Sequence, residues 1–242
     1  MVWVMGVDGC PAGWIAVLLP VEATAAPHIR LIADVAALRA VPEEPAVVAV
    51  DMPIGLPDRI GPGGRGPERL LRARLGARQS SVFAVPARAA VMADGYAAAC
   101  VAAVETSDPP RKISKQAFFL FPKIRDLDAV LRDDVGWAGR VHEVHPEGAF
   151  MRLNGGRPLA EPKKVKSRVH PPGMAERRAL LAAAGLPQTL LRAVPPRGAA
   201  TDDLLDACAC AVTALAILRG EALRFAGEPD RDRFGLPIAI WA

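Results

Sequence analysis

Four aspartates stand where carboxylates could do chemistry. Asp8 closes the apolar run Trp3–Asp8, and Asp51 closes Ala46–Asp51. Each therefore reads as a charge at the rim of a buried strand, and in open α/β sheets ligands sit off the carboxyl ends of strands. Asp8 begins Asp-Gly-Cys-Pro, so satisfying its own turn amides is the alternative reading there. Asp203 and Asp206 lie three residues apart, on one face of a helix. From Leu204 to Leu218 Asp206 is the only charged residue, and a helix apolar on all sides is a buried one. A buried carboxylate is costly unless it is paired, hydrogen-bonded or bound to a metal. Two close carboxylates repel, so one takes up a proton unless a cation lies between them. A divalent metal resolves this, and an Arg partner is the alternative. Four Asp make a hard oxygen-ligand set suited to Mg²⁺ or Mn²⁺. Two such ions about 4 Å apart activate a water and stabilise the leaving oxygen of a phosphodiester.

Further groups gather around this set. Glu143 and His145 alternate onto one face of a strand, with His142 on the other. Glu143 or Glu147 is a candidate further ligand, and His145 a candidate proton shuttle. Hydrogen bonding of the Glu143/His145 pair to an Arg-rich segment is the structural reading. A zinc site from His142, His145 and Glu147 lacks further ligands to complete it. Arg59, Arg65, Arg69, Arg72, Arg74, Arg78 and Arg88 crowd thirty residues, and Lys163, Lys164, Lys166 and Arg168 form a second basic cluster. Arg binds phosphate bidentately, so these could line a polyanion groove, although a solvated face is the commoner fate of a charge run. Arg72, Arg74, Arg78, Lys123 and Lys166 are the candidate substrate contacts, with Ser80 and Ser81 as a phosphate-contacting turn. Aromatic residues make up only 5% and none alternates with these Arg, so stacking on single-stranded bases has little support.

The elements that must position these groups follow the hydrophobic pattern. Strands are expected at Trp3–Asp8, Trp14–Leu19, His28–Ile32, Ala46–Asp51 and Val141–Val144, with a short helix at Val35–Ala40. Residues 57–139 read as a mainly helical insertion between the fourth and fifth strands. Its Gly/Pro-rich start, Asp58–Pro67, is followed by helices at Glu68–Gly76, Asp94–Val104 and Ala129–Arg132. A loop is expected over Asn154–Pro172, then helices at Ala175–Ala184 and Asp202–Arg219. Thr201 is the expected N-cap of the last, and Pro237–Trp241 a terminal strand. The sequence is read as one domain over 1–242, with a core at about 1–56 and 140–242.

Composition narrows the class. The 242 residues are 51% hydrophobic and 23% charged, which excludes a disordered, collagen-like or coiled-coil chain. The longest apolar stretch falls short of the roughly 20 residues of a membrane span, so no membrane association is expected. The start, Met1–Val7, lacks a basic n-region and reads as a strand rather than a signal peptide. Cys10, Cys100, Cys208 and Cys210 form no zinc or disulfide pattern, which fits buried thiols in a reducing cytoplasm. The net charge of +4 permits polyanion binding.

The order of hairpin, third strand, helix and fourth strand, with Asp on the first and fourth strands, resembles the ribonuclease H-like fold. Asp203-Leu-Leu-Asp206 resembles the Asp-x-x-Asp of RuvC-type Holliday-junction resolvases. A set of stretches over nearly the whole chain resembles the domain-of-unknown-function family 429, described as predicted RNase H-like nucleases. The set comprises Gly6–Trp14, Asp51–Leu56, Arg78–Phe83, Ser114-Lys115-Gln116, Lys123-Ile124, Glu143–Glu147 and Asp202–Ala207. The resemblance implies an α/β fold with a mixed five-stranded sheet flanked by helices. It also implies a metal-dependent nuclease activity, with Asp8, Asp51, Asp203 and Asp206 as ligands of two Mg²⁺ or Mn²⁺ ions and DNA or RNA as the partner. Resolvase-type enzymes work as dimers, so a homodimer belongs to the same expectation. Asp51 departs from the Glu that many resolvase-like members carry on the fourth strand, a shorter reach that alters metal spacing. Two rivals share the fold. One is a phosphotransferase of the actin-like ATPase superfamily, whose second domain 242 residues leave little room for. The other is a nucleic-acid-binding module without turnover.

Overall fold

The apolar run from Trp3 is a strand because both of its faces are covered. Val4 and Ile15 face one apolar layer, shared with Ala49, Leu205, Ala209 and Val212. Met5 and Val7 face another, with Val48, Val50, Leu38, Phe121 and Ile124. The computed structural model describes residues 1–22, 25–166 and 168–242. The chain forms β1 (Trp3–Cys10), β2 (Gly13–Pro20), β3 (His28–Ile32), α1 (Val35–Arg39) and β4 (Val47–Val50). Helices α2 (Gly66–Leu75), α3 (Arg88–Met92), α4 (Gly95–Glu105), α5 (Lys115–Asp133) and α6 (Val135–Ala138) follow before β5 (Val141–Glu143). Next come α7 (Pro146–Leu153), a short hairpin of β6 (Lys164–Val165) and β7 (Arg168–Val169), α8 (Pro171–Ala183), α9 (Gln188–Leu191) and α10 (Thr201–Arg219). The chain closes with β8 (Arg224–Arg231) and β9 (Pro237–Trp241).

The main sheet has the order β3-β2-β1-β4-β5. β2 is antiparallel to its neighbours, while β4 and β5 run parallel to β1. This is the expected α/β architecture, a mixed five-stranded sheet between helices, consistent with a ribonuclease H-like arrangement. β1 outruns its parallel neighbour. It stays paired to β2 as far as Cys10↔Gly13, whereas its ladder with β4 ends at Val7↔Val50. Beyond that point Asp8 keeps a partner strand on one side only.

Several elements differ from the sequence pattern. The helix expected at Ala129–Arg132 is the end of α5, which begins at Lys115 behind a Ser114 cap and contains Pro122. An internal proline removes a backbone donor, which is why the pattern reads as broken. The loop expected over Asn154–Pro172 holds the β6–β7 hairpin and the start of α8. Pro237–Trp241 is a strand, but its ladder partner is β8, which the sequence did not announce, and it joins the main sheet through the Val144↔Trp241 bridge. Thr201 is the first residue of α10 rather than its cap, and the Ala200 N–H instead donates to the Asp203 carboxylate at 2.8 Å.

Two of the crowded arginines are interior. Arg88 donates to both carboxylate oxygens of Asp128 at 2.8 Å and to Asp232 at 2.6 Å, and Asp232 also accepts the Leu56 N–H at 3.1 Å. This clasp joins the insertion to the β8–β9 ribbon. Arg65 is equally buried, so neither belongs to the polyanion groove expected of the run.

α10 lies directly across β1 because Gly6 lets it. A Cβ at Gly6 would overlap the Ala211 amide nitrogen and the Ala207 carbonyl oxygen, both helix backbone that cannot turn aside. Gly6→Ala is expected to destabilise the fold by about 3 kcal/mol or more. At roughly 2–4 °C per kcal/mol for a chain of this size, Tm falls by about 6–12 °C. Gly139→Ala, whose Cβ would meet nothing nearer than 3.6 Å, serves as the control and shifts Tm by no more than about 2 °C. Thermal melts of the two variants check this.

Candidate functional site

Sheet and helix together deliver three carboxylates to one place. Asp8 extends past the end of the β1–β4 ladder. Asp51 follows β4 and is locked beside it, its N–H donating to the Val7 carbonyl at 2.9 Å. Neighbouring strands are about 4.8 Å apart, so these two side chains emerge next to one another. Asp206, in the second turn of α10 and 1% exposed, is carried to the same end by the close β1–α10 packing. Burial and then the fields of Asp51 and Asp206 raise the Asp8 carboxyl well above the usual carboxylate range. Burial and then Asp206 push Asp51 up to about 8. Like charges enclosed together favour protonation or a cation.

One cation is supplied by the chain itself. The Lys163 ammonium, just before β6, contacts the Asp206 carboxylate and lies 3.8 Å from Asp202. Lys164 pairs with Asp202 at 2.5 Å. Burial alone would lower the Lys163 ammonium, but Asp206, Asp8 and Asp51 outweigh it and hold it raised. A cleft of about 370 Å³ opens here, lined among others by Asp51, Asp206, Lys163, Lys164, Arg78 and Glu147. A second lobe of about 350 Å³ holds Asp8, Cys10, Phe83 and Lys123. The lobes share Asp51, Ser81 and His145.

A family model described as Protein of unknown function (DUF429) matches residues 6–231. The chain belongs to this family. No curated protein and no solved structure matches the chain. The matched span takes in Asp8, Asp51, Lys163 and Asp206, so the whole carboxylate–lysine cluster of this DUF429 chain lies inside the family region.

The donor set fits a hard divalent cation in kind: three oxygen ligands stand against one ammonium. The Glu147 Oε1 takes the Arg177 guanidinium, while its Oε2 is buried with no hydrogen-bond partner and belongs to a residue of the same cleft wall. Among the described residues, however, no three Asp, Glu, His or Cys side chains are grouped so as to hold a metal ion. Lys163 stands where the sequence pointed to a metal or an arginine.

The other expected site residues separate into those at the cleft and those away from it. Asp203 is half-buried, with the Ala200 N–H on its carboxylate; burial raises its pKa and that hydrogen bond offsets part of the rise. Glu143 is clasped by Arg65 at 2.5 and 3.0 Å and accepts the Ile54 N–H at 2.7 Å. Arg65 also bonds Glu68 at 2.6 Å. Burial would lower that guanidinium, but Glu143 and Glu68 keep it charged. His145 lines both lobes with Nε2 3.4 Å from the Ser81 carbonyl, and burial lowers its pKa to about 4. Its imidazole is therefore neutral, and Nδ1 is buried without a partner.

On the substrate side, Arg78, Ser80 and Ser81 line the main lobe, and the Ser81 hydroxyl donates to the Arg78 carbonyl at 2.8 Å. Lys123 reaches the second lobe, donates to the Gly13 carbonyl at 2.7 Å and sits 4.8 Å over the Trp14 ring. Arg72 points inward, donating to Val82 and Gly63 carbonyls at 2.9 and 2.6 Å. Arg74 and Lys166 are exposed and line neither lobe. The sequence counted Lys163 among polyanion contacts, and its role against Asp206 had one signal only: a buried Asp must find a partner somewhere.

The raised Asp51 pKa has a measurable consequence. An acid that holds its proton more tightly when folded loses folded-state stability as pH rises from its unfolded value near 4 towards its folded one. For Asp51 that window runs from about 4 to about 8. In a chelator-treated sample, Asp51→Asn is expected to raise Tm at pH 8 by about 4 °C more than at pH 4.5. Melts at the two pH values check this, and an equal effect at both would remove the like-charge account of the site.

Proposed function

We propose that this protein is a divalent-metal-dependent phosphodiesterase acting on nucleic acid. The observation that carries the reading is the confinement of Asp8, Asp51 and Asp206 at the strand ends, all within the field of a single ammonium. The cleft above them adds Arg78 and Lys164, cations that attract a phosphodiester. A bound Mg²⁺ or Mn²⁺ would supply Lewis acidity and a nucleophilic water at neutral pH.

The chain's own part is to hold and steer. Asp8 and Asp51 present oxygen ligands from adjacent strands, anchored by backbone pairing. Arg78 and the Ser80–Ser81 turn bind the phosphate on the far wall. With the Nε2 hydrogen directed at Ser81, His145 keeps an Nδ1 lone pair for a proton. Water adds to phosphorus, the P–O ester bond breaks, and the products are a phosphomonoester and a free hydroxyl.

The test is cleavage of labelled single strands, duplexes, RNA–DNA hybrids and four-way junctions in Mn²⁺ or Mg²⁺, with Asp8→Asn purified in parallel. Wild-type cleavage is expected on at least one substrate, reduced about 100-fold or more in the variant. Equal cleavage by both proteins marks a contaminant and defeats the reading. Nucleic-acid binding without cleavage identifies a module that lacks turnover.

A further inference from the structure

We propose that Lys163 is the built-in second cation of this site. The Asp8–Asp51–Asp206 cluster takes one divalent ion, seated on the Asp8–Asp51 pair, and the Lys163 ammonium on Asp206 holds the place of the other. This rests on the metal-dependent reading above and fixes the number of ions that the sequence pattern left at two.

Lys163 is not a surface lysine that happens to reach an acid. Its backbone is gripped on both sides. The preceding residue, Pro162, packs so closely on Gly173 of α8 that a Cβ there would overlap the Pro162 carbonyl oxygen. The Lys163 carbonyl accepts the His170 N–H at 2.9 Å. The neck of the hairpin is closed by His170 with Glu161 at 2.9 Å, and the Glu176 carboxylate accepts both the Ala160 and Glu161 N–H groups at 3.0 Å. Lys164 adds a separate anchor on Asp202, one turn before Asp206. The ammonium is thus delivered to Asp206 by a braced segment, with two-thirds of its side chain out of solvent.

Occupancy sets the stoichiometry. The Lys163 ammonium already takes the Asp206 carboxylate that a second ion would share. Two cations crowded on one largely buried carboxylate repel strongly at low dielectric. A protein that took two ions would have to expel Lys163 and its bracing from Asp206.

The test is the number of Mn²⁺ ions bound per chain, read from the loss of the free-ion electron paramagnetic resonance signal during titration. One ion is expected for the wild type and for Lys163→Arg, which keeps the charge. Two are expected for Lys163→Met, which frees Asp206. Lys164→Met, which leaves the Lys163–Asp206 contact in place, should remain at one. Thermal melts establish that each variant is folded. Two ions on the wild type, or one ion still on folded Lys163→Met, would overturn the proposal. Absence of Mn²⁺ binding by both wild type and Lys163→Met would instead remove the metal reading itself.

Discussion

Repulsion among three enclosed carboxylates is the constraint around which this structure is organised. Asp8, Asp51 and Asp206 come from two strands and a helix, and none is free to retreat. Asp51 is tied by its backbone to β1, Asp8 lies within the β1–β2 ladder, and Asp206 is embedded in an apolar helix. Folding therefore gathers negative charge that the unfolded chain keeps apart. The raised Asp8 and Asp51 carboxyls record that conflict, and the Lys163 contact is the part of it that the chain relieves by itself.

Elsewhere the molecule meets its buried carboxylates with arginine, and the contrast is informative. Arg88 grips Asp128 bidentately and reaches Asp232, and Arg65 grips Glu143 bidentately and Glu68 through Nε, with backbone groups adding to each clasp. These clasps join the insertion to the sheet and to the β8–β9 ribbon. Buried ion pairs stabilise a fold only when the remaining donors and acceptors are also met, and these largely meet that condition. The strand-end cluster differs in its cation, a lysine ammonium on Asp206 rather than a forked guanidinium.

The sheet was legible from residue pattern because its strands are buried on both faces and bounded by turn residues. The strands themselves, and the places of Asp8 and Asp51 at strand ends, follow from runs that need no long-range information, whereas the arrival of Asp206 beside them was implied by the family resemblance. Less was legible where two distant segments make one feature. β8 carries Gly227, Glu228, Pro229 and Asp230, residues that favour turns, and is a strand only because β9 and α2 receive it. Pro122 concealed the length of α5. Within the arginine run, spacing alone could not separate Arg65 and Arg88, which are interior, from Arg74, which is exposed. That distinction depends on acids at Asp128, Glu143 and Asp232, far along the chain.

Lys163 shows how tightly scaffold and site are joined. Its contact with Asp206 spans 43 residues of sequence and depends on a loop held to α8 through Gly173 and Glu176. α10 in turn brings Asp206 to the strand ends only because Gly6 admits its backbone. Two glycines remote from any reacting atom therefore set the relative positions of the carboxylates and their internal cation. A substitution at either would disturb the balance of charge in the cleft before it touched a ligand. Electrostatic preorganisation works by fixing such charges in advance, and here the fixing is done by backbone packing at Gly6 and Gly173, not by the side chains that carry the charge.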